Sequence, residues 1–359
     1  MAGFSTTQAK AGHRHGSPIL MKPIQIDGTS GGGQMLRTAL TLAMVTGQPF
    51  RMTNIRGKRK KPGLMRQHLT CVKAACEVSG GTADGAEIGS TEIVFRAGEL
   101  RGSSYHFAIG TAGSATLLLQ TLLPALLFAD KESTLRLEGG THNPMAPPFE
   151  FIDRVYLPAL RRMGVEADVS LVQAGFAPAG GGIIEVRVKP CAKLSAISLH
   201  DRGELKSEVL TVIIRNLNAN IAERMLEAAQ KQHPCADARI EVTEPGPGRG
   251  VCCHFHAEFE NVSELASACG EIGVTADRVG TRVGKSMKHF HSSGAAVGRH
   301  LADQLLLPMA LAGGGSFTTG IPDEHVLTNL AVIEKFLPVK STVGEIDRGL
   351  CVVSILPSK

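Results

Sequence analysis

The sequence predicts an α/β protein made of repeated sheet-and-helix units, with a smaller α/β segment inserted before the last unit. Three observations carry this. An apolar helix with a small-residue entry recurs three times, β-forming runs lie between the copies, and one interval between copies is much longer than the other.

The clearest copies are Gly110 to Leu126 and Ser293 to Leu311. In both, a run of Gly, Ala and Ser leads into leucine-rich helix, and a glutamine (Gln120, Gln304) stands four residues before a proline (Pro124, Pro308). A looser copy runs from Gly31 to Ala43. About 80 residues separate the first copy from the second and about 180 the second from the third, so the last interval holds one extra unit. The insertion is expected over residues 201–292, within a large domain formed by residues 21–200 and 293–359.

Taken in order, residues 1–20 are polar and rich in Gly, Ser and Ala, with no apolar core of signal-peptide length, and read as a disordered leader. Pro23–Asp27 reads as a first strand, and the loop from Gly28 to Arg37 then opens a helix. Glu92–Arg96, Ser133–Glu138 and Ile183–Val188 read as further strands. Within the insertion, Ser207–Gln230 reads as an amphipathic helix. Cys252–His256 reads as a strand with alternating faces rather than a metal cluster, because its cysteines and histidines lack ligand spacing.

Composition narrows the function. No apolar run is long enough to span a bilayer. The eight cysteines form no CxxC pair, which suits reduced thiols in a cytoplasmic protein. The net charge is +5, and Arg56, Lys58, Arg59, Lys60 and Lys61 are concentrated in one loop. With no Trp and two Tyr, a single-strand binder that stacks many bases on aromatic rings is disfavoured, and an enzyme gripping one chain end fits better.

The glycine-rich entries place helix N-termini where an anion can sit. Next to the first lies a shaped basic loop, Asn54 to His68, whose glycines, proline and arginine forks suit phosphate oxygens. His325 follows a loop with Gly320 and Pro322 and opens an apolar helix running to about Phe336. A neutral imidazole can attack phosphorus and form a labile phosphoramidate. Composition and spacing alone do not choose His325 over His68 or His142.

Six ordered segments together resemble the RNA 3'-terminal phosphate cyclases. They are Gly31 to Arg37, Arg56 to His68, Gly139 to Pro148, Gly175 to Gly182, Leu301 to Leu311 and His325 to Asn329. The resemblance implies three tandem units like those of enolpyruvyl transferases plus a small inserted α/β domain. It implies ligase-type chemistry with ATP: His325 takes AMP, passes it to an RNA 3'-phosphate, and the neighbouring 2'-hydroxyl closes a 2',3'-cyclic phosphate. It assigns Gln120, Pro147, His300, Leu301, Ala302, Asp303 and Gln304 to ATP. Arg37, Arg56, Arg59, Gln67 and His68 go to phosphates or the RNA end.

The resemblance also implies a divalent cation, Mg or Mn. The glutamate usual before the glycine triplet is Ser30 here, in a loop about two residues shorter, which leaves the metal ligands unassigned. RNA 3'-phosphate ends and ATP are the expected partners, a homodimer is a further one to test, and a membrane is not expected. A noncatalytic cyclase-like protein of ribosomal RNA processing is the alternative that the same motifs allow.

Overall fold

A computed structural model describes residues 21–358. The expected leader, residues 1–20, lies outside the described residues.

The first unit runs β1 (Ile24–Asp27), α1 (Gly33–Thr46), β2 (Phe50–Thr53), α2 (Arg66–Ser79), β3 (Thr82–Asp84) and β4 (Ile93–Arg96). Its sheet order is β1-β2-β4-β3, with β1 parallel to β2 and the other pairs antiparallel. Leu36, Leu40 and Ala43 of α1, spaced at the helical period, are fully buried. α1 stops at Gly47, whose φ of 70° is a left-handed turn that a side chain would strain, and whose N–H caps Ala43 O.

The second unit repeats the pattern. It runs β5 (Ser104–Ala108), α3 (Ala115–Leu126), β6 (Ser133–Gly139), a helical segment, β7 (Ala167–Gln173) and β8 (Gly182–Val188). The helical segment consists of α4 (Phe149–Phe151), a π-turn (Ile152–Tyr156) and α5 (Leu157–Arg162). Sheet order is β5-β6-β8-β7, with the same pairing senses.

The third unit begins with β9 (Ile197–Leu199) and then leaves its own sheet. The excursion comprises β10 (Leu205–Arg215), α6 (Ala219–Gln230), β11 (Asp237–Val242), β12 (Gly250–Phe259), β13 (Ser263–Cys269) and α7 (Ala276–Ser292). The unit resumes with α8 (Arg299–Leu311), β14 (Gly315–Gly320), α9 (Glu324–Phe336), β15 (Val339–Asp347) and β16 (Leu350–Pro357). Its sheet is β9-β14-β16-β15, again one parallel and two antiparallel pairs. Three units of one topology, the third interrupted between its first strand and first helix, account for the unequal spacing of the helix copies.

One apolar core runs through the three units. The excursion has a sheet of its own, β11-β10-β12-β13, and a separate core under α6 and α7. It meets the second unit at a small cluster containing Ala174, Phe176, Cys252 and Cys269.

One expectation is corrected. Ser207–Gln230 is not one helix. Its first part belongs to β10, where Val209–Ile214 is rich in β-branched residues and mostly buried on both faces, so a period of two is hidden. The helix begins only after Asn218, whose side chain accepts from the Asn220 N–H at 2.9 Å. Cys252–His256 is, as expected, a strand with alternating faces, and both faces are covered. Cys253 and Phe255 enter the excursion's own core, while Cys252 turns to the second unit. Among the described residues, no helix is long and apolar enough to cross a membrane.

Candidate active site

α1, α3, α8, α9 and the π-turn surround one polar cavity, with side chains of Gln34, Arg37, Gln120, Tyr156, Asp303 and Asn329 on its walls. Gln120 and Gln304, each four residues before the proline inside its helix, arrive there from corresponding places in two units.

A hydrogen-bonded chain crosses the mouth of this cavity. Asp303 is packed deeply enough that burial raises its carboxyl pKa, against the hydrogen bonds of Gln34 and Asn329 that lower it. Its Oδ1 accepts from Gln34 Nε2 and, at 3.2 Å, from Asn329 Nδ2. Gln304 Nε2 donates to Oδ2 at 3.2 Å. Asn329 in turn accepts from Thr38 Oγ1 at 2.7 Å. The i, i+4 spacing of Gln34 with Thr38 on α1, and of His325 with Asn329 on α9, puts each pair on one helix face.

His325 is exposed at the second position of α9. Its Nδ1 lies 2.7 Å from Gln34 Oε1. The Asp303 carboxylate only accepts, so Gln34 turns its NH₂ toward Asp303 and its carbonyl toward His325. The ring nitrogen facing a carbonyl must carry the proton, so the neutral imidazole has H on Nδ1 and a free lone pair on Nε2. The helix start under His325 is fixed by Asp323, whose Oδ1 accepts from His325 N at 3.0 Å and Val326 N at 3.2 Å. Arg299 Nε donates to the other oxygen of Asp323 at 3.0 Å.

A second group lies at the N-terminus of α1, where Gly32 caps the helix with no side chain. A Cβ on Gly33 would fall 2.3 Å from His68 Nε2 and 3.1 Å from an Arg37 guanidinium nitrogen; one on Gly32 would fall 3.2 Å from an Arg59 guanidinium nitrogen. The glycines therefore let two arginines and a histidine close on free backbone N–H groups, an arrangement that holds anions. His68 is neutral here. Burial, then the charges of Arg37 and Arg56, push its pKa down to about 3. Its Nδ1 accepts from Met65 N at 3.1 Å, so Nε2 carries the proton and donates.

The remaining expected residues are placed as follows. Arg56 donates to Lys61 O and Gly63 O, both at 2.9 Å, and shapes the basic loop. Gln67 Oε1 accepts from Ser114 N at 3.2 Å and ties α2 to the start of α3. Pro147 lies on the loop before α4, its carbonyl accepting from Thr116 Oγ1 at 2.8 Å. Gln120 is 8 % exposed, and neither polar atom of its amide has a partner. His300 is exposed on the first turn of α8, whereas Leu301 and Ala302 face the core. His142 is buried, stacked on Phe176 and bonded to Glu150 at 3.1 Å, which removes it from the choice of nucleophile. Ser30 is exposed.

Reading the residues missed Gln34, Tyr156 and Asp323 as site members. Gln34 stood inside the glycine motif, and Asp323 carried the signal of a capping residue just before a helix. Tyr156 carried none, since it reaches the cavity from a π-turn.

Comparisons with known proteins agree with one another. The family profile described as RNA 3'-terminal phosphate cyclase matches residues 28–343. A Ralstonia nicotianae protein named RNA 3'-terminal phosphate cyclase is 49 % identical over 335 residues, covering 92 % of this chain and 96 % of its own. An Ectopseudomonas mendocina protein of the same name is 47 % identical over 321 residues, covering 88 % and 93 %. The enolpyruvyl transferase NikO of Streptomyces tendae aligns with 92 % of this chain and 47 % of its own, at 13 % identity and a TM-score of 0.37. So loose a superposition carries no weight, and the three-unit fold rests on the strand pairings above.

Proposed function

The chain belongs to the RNA 3'-terminal phosphate cyclase family, and from that premise we propose that it converts RNA 3'-phosphate ends into 2',3'-cyclic phosphates at the expense of ATP, with His325 as the nucleophile. The observation that carries this reading is the 2.7 Å contact between His325 Nδ1 and a Gln34 carbonyl oriented by Asp303. In the neutral ring that contact leaves the Nε2 lone pair free, as attack on phosphorus requires.

In the first step His325 Nε2 bonds to the α-phosphorus of ATP, the bond to the bridging oxygen breaks, and pyrophosphate leaves. Nδ1–H stays on Gln34 Oε1, and the positive charge on the ring is eased through that hydrogen bond. An oxygen of the RNA 3'-phosphate then attacks the same phosphorus and frees the imidazole. The terminal phosphate is now half of an anhydride, so AMP can leave it. The 2'-hydroxyl, held beside it by the ribose, attacks with loss of its proton and closes the ring.

Arg37, Arg59, His68 Nε2–H and the α1 N-terminus are the donors suited to phosphoryl oxygens. Gln120 offers one donor and one acceptor to a nucleobase edge, which would satisfy its buried amide.

The residues at this site do not fit a protein-built divalent cation centre. Its carboxylates are Asp303 and Asp323; the first is held by three side-chain amides and the second by a helix cap and Arg299. Ser30, where family members carry glutamate, offers no carboxylate.

The decisive test is incubation with α-labelled ATP. Wild-type protein should retain acid-labile label on residue 325, and RNA bearing a 3'-phosphate should become phosphatase-resistant. A 2'-deoxy end should stop at the adenylated stage. Absence of label on His325 with any cation tried would sink the reading.

A further inference from the structure

Away from the cavity, in the excursion between β9 and α8, three side chains from three elements converge. Glu208 comes from β10, His233 from the turn after α6, and His291 from the last turn of α7. Their ligand-capable atoms all lie within 4.8 Å of one another, the one such group of His, Cys, Asp and Glu found among the described residues. His291 Nε2 is 2.5 Å and His233 Nε2 3.2 Å from the same oxygen, Glu208 Oε1.

We propose that Glu208, His233 and His291 form a binding site for a zinc-class divalent cation. Two imidazole nitrogens and a carboxylate oxygen suit Zn²⁺ better than Mg²⁺, which seeks oxygen ligands. Bonds of about 2.0–2.1 Å in a tetrahedral arrangement place ligand atoms roughly 3.3 Å apart. The cluster reaches that spacing with modest side-chain adjustment.

The surroundings hold the ligands in place. The His233 and His291 rings stack at 4.8 Å, His233 sits edge-on to Phe255, and His291 packs on Phe259. The Arg202 guanidinium holds the last carbonyls of α7, those of Phe290 and His291, at 2.8 and 2.7 Å. The three side chains remain 14–24 % exposed, so water or a fourth ligand can complete the coordination.

The competing arrangement is a plain hydrogen-bonded trio in which both imidazoles donate Nε2–H to Glu208. It needs protons where the metal needs lone pairs, so metal affinity separates the two.

The experiment is calorimetric titration of the full chain with Zn²⁺, repeated with Co²⁺ to read the visible spectrum. Wild type should bind one ion through this site and gain thermal stability with it. Co²⁺ should give the intense d–d bands of a low-coordinate site. Glu208→Gln and His291→Asn should each weaken binding by more than the roughly 10- to 100-fold typical of an outer-shell change. Their metal-free melting curves should show folded protein. His325→Ala should bind Zn²⁺ like wild type, which separates this site from the catalytic reading. No binding by wild type, or undiminished binding by the folded Glu208 and His291 variants, overturns the proposal.

Discussion

Gln34 presents its carbonyl oxygen to His325 Nδ1 at 2.7 Å while its amide nitrogen donates to Asp303. One side chain thus transmits the orientation of a half-buried carboxylate to an exposed imidazole. Gln34→Leu removes the preference between tautomers without touching Nε2. Self-adenylation should slow about 5-fold, as expected for loss of one hydrogen bond of about 1 kcal/mol. KM for ATP should move far less. Single-turnover labelling across pH distinguishes this from His325→Ala, which should give no adduct.

Gly33→Ala tests the anion cradle. The added methyl would meet His68 Nε2 at 2.3 Å, and the ring must move away from the helix start. Misplacing a phosphate donor by about 1 Å costs on the order of 100-fold in rate. Cyclisation kinetics should show that loss while circular dichroism remains that of wild type.

Asp323 caps α9 through the N–H groups of His325 and Val326. Asp323→Ala should lower unfolding free energy by about 0.5–2 kcal/mol, and Asp323→Ser should recover most of it. Because the frayed turn contains His325, adenylation should fall in the same order in both variants. Urea melts and labelling rates provide the comparison.

Gln120→Leu should separate stability from binding. The wild-type amide is buried with both polar atoms unpartnered, so an apolar side chain of similar shape should leave the melting temperature unchanged or raised. If the amide reads the nucleobase, KM for ATP should rise markedly in the same variant.

Glu264, 6 % exposed, has its pKa raised to about 7 by burial, partly offset by the N–H groups of Gly298 and Leu265. The folded state therefore binds this proton more tightly than the unfolded chain. Its contribution is complete below about pH 4.5 and is lost as pH rises through 7. His68, depressed to about 3, acts oppositely, favouring the fold more as pH rises toward 6.5. Comparing wild type with Glu264→Gln isolates the first effect. The variant should gain on wild type between pH 5 and 8, by on the order of 2–3 kcal/mol. Denaturant melts at the two pH values measure it.

The sequence made the repeat legible because proline leaves the same mark wherever it enters a helix, here four residues after Gln120 and Gln304. It misled over Ser207–Gln230, where β10 is covered on both sides and shows no alternation. It could not choose between His68 and His325, which lie near the starts of corresponding helices, α2 and α9. The difference is in their partners: Met65 N–H makes Nδ1 of His68 an acceptor, and the Gln34 carbonyl makes Nδ1 of His325 a donor. Gln34 and Asp303 are 269 positions apart, and no local pattern signals that they meet.

The interruption of the third unit has a consequence for synthesis. β9 must wait for β14, and the His200–Ser316 contact that follows their pairing spans 116 positions. A ribosome completes two full units, and then the whole excursion, before the strand that closes the third sheet emerges. α9 with His325 comes later still. A nascent or prematurely terminated chain can thus contain the cradle residues Arg37, Arg59 and His68 without the nucleophile, and without the later units that complete the shared core.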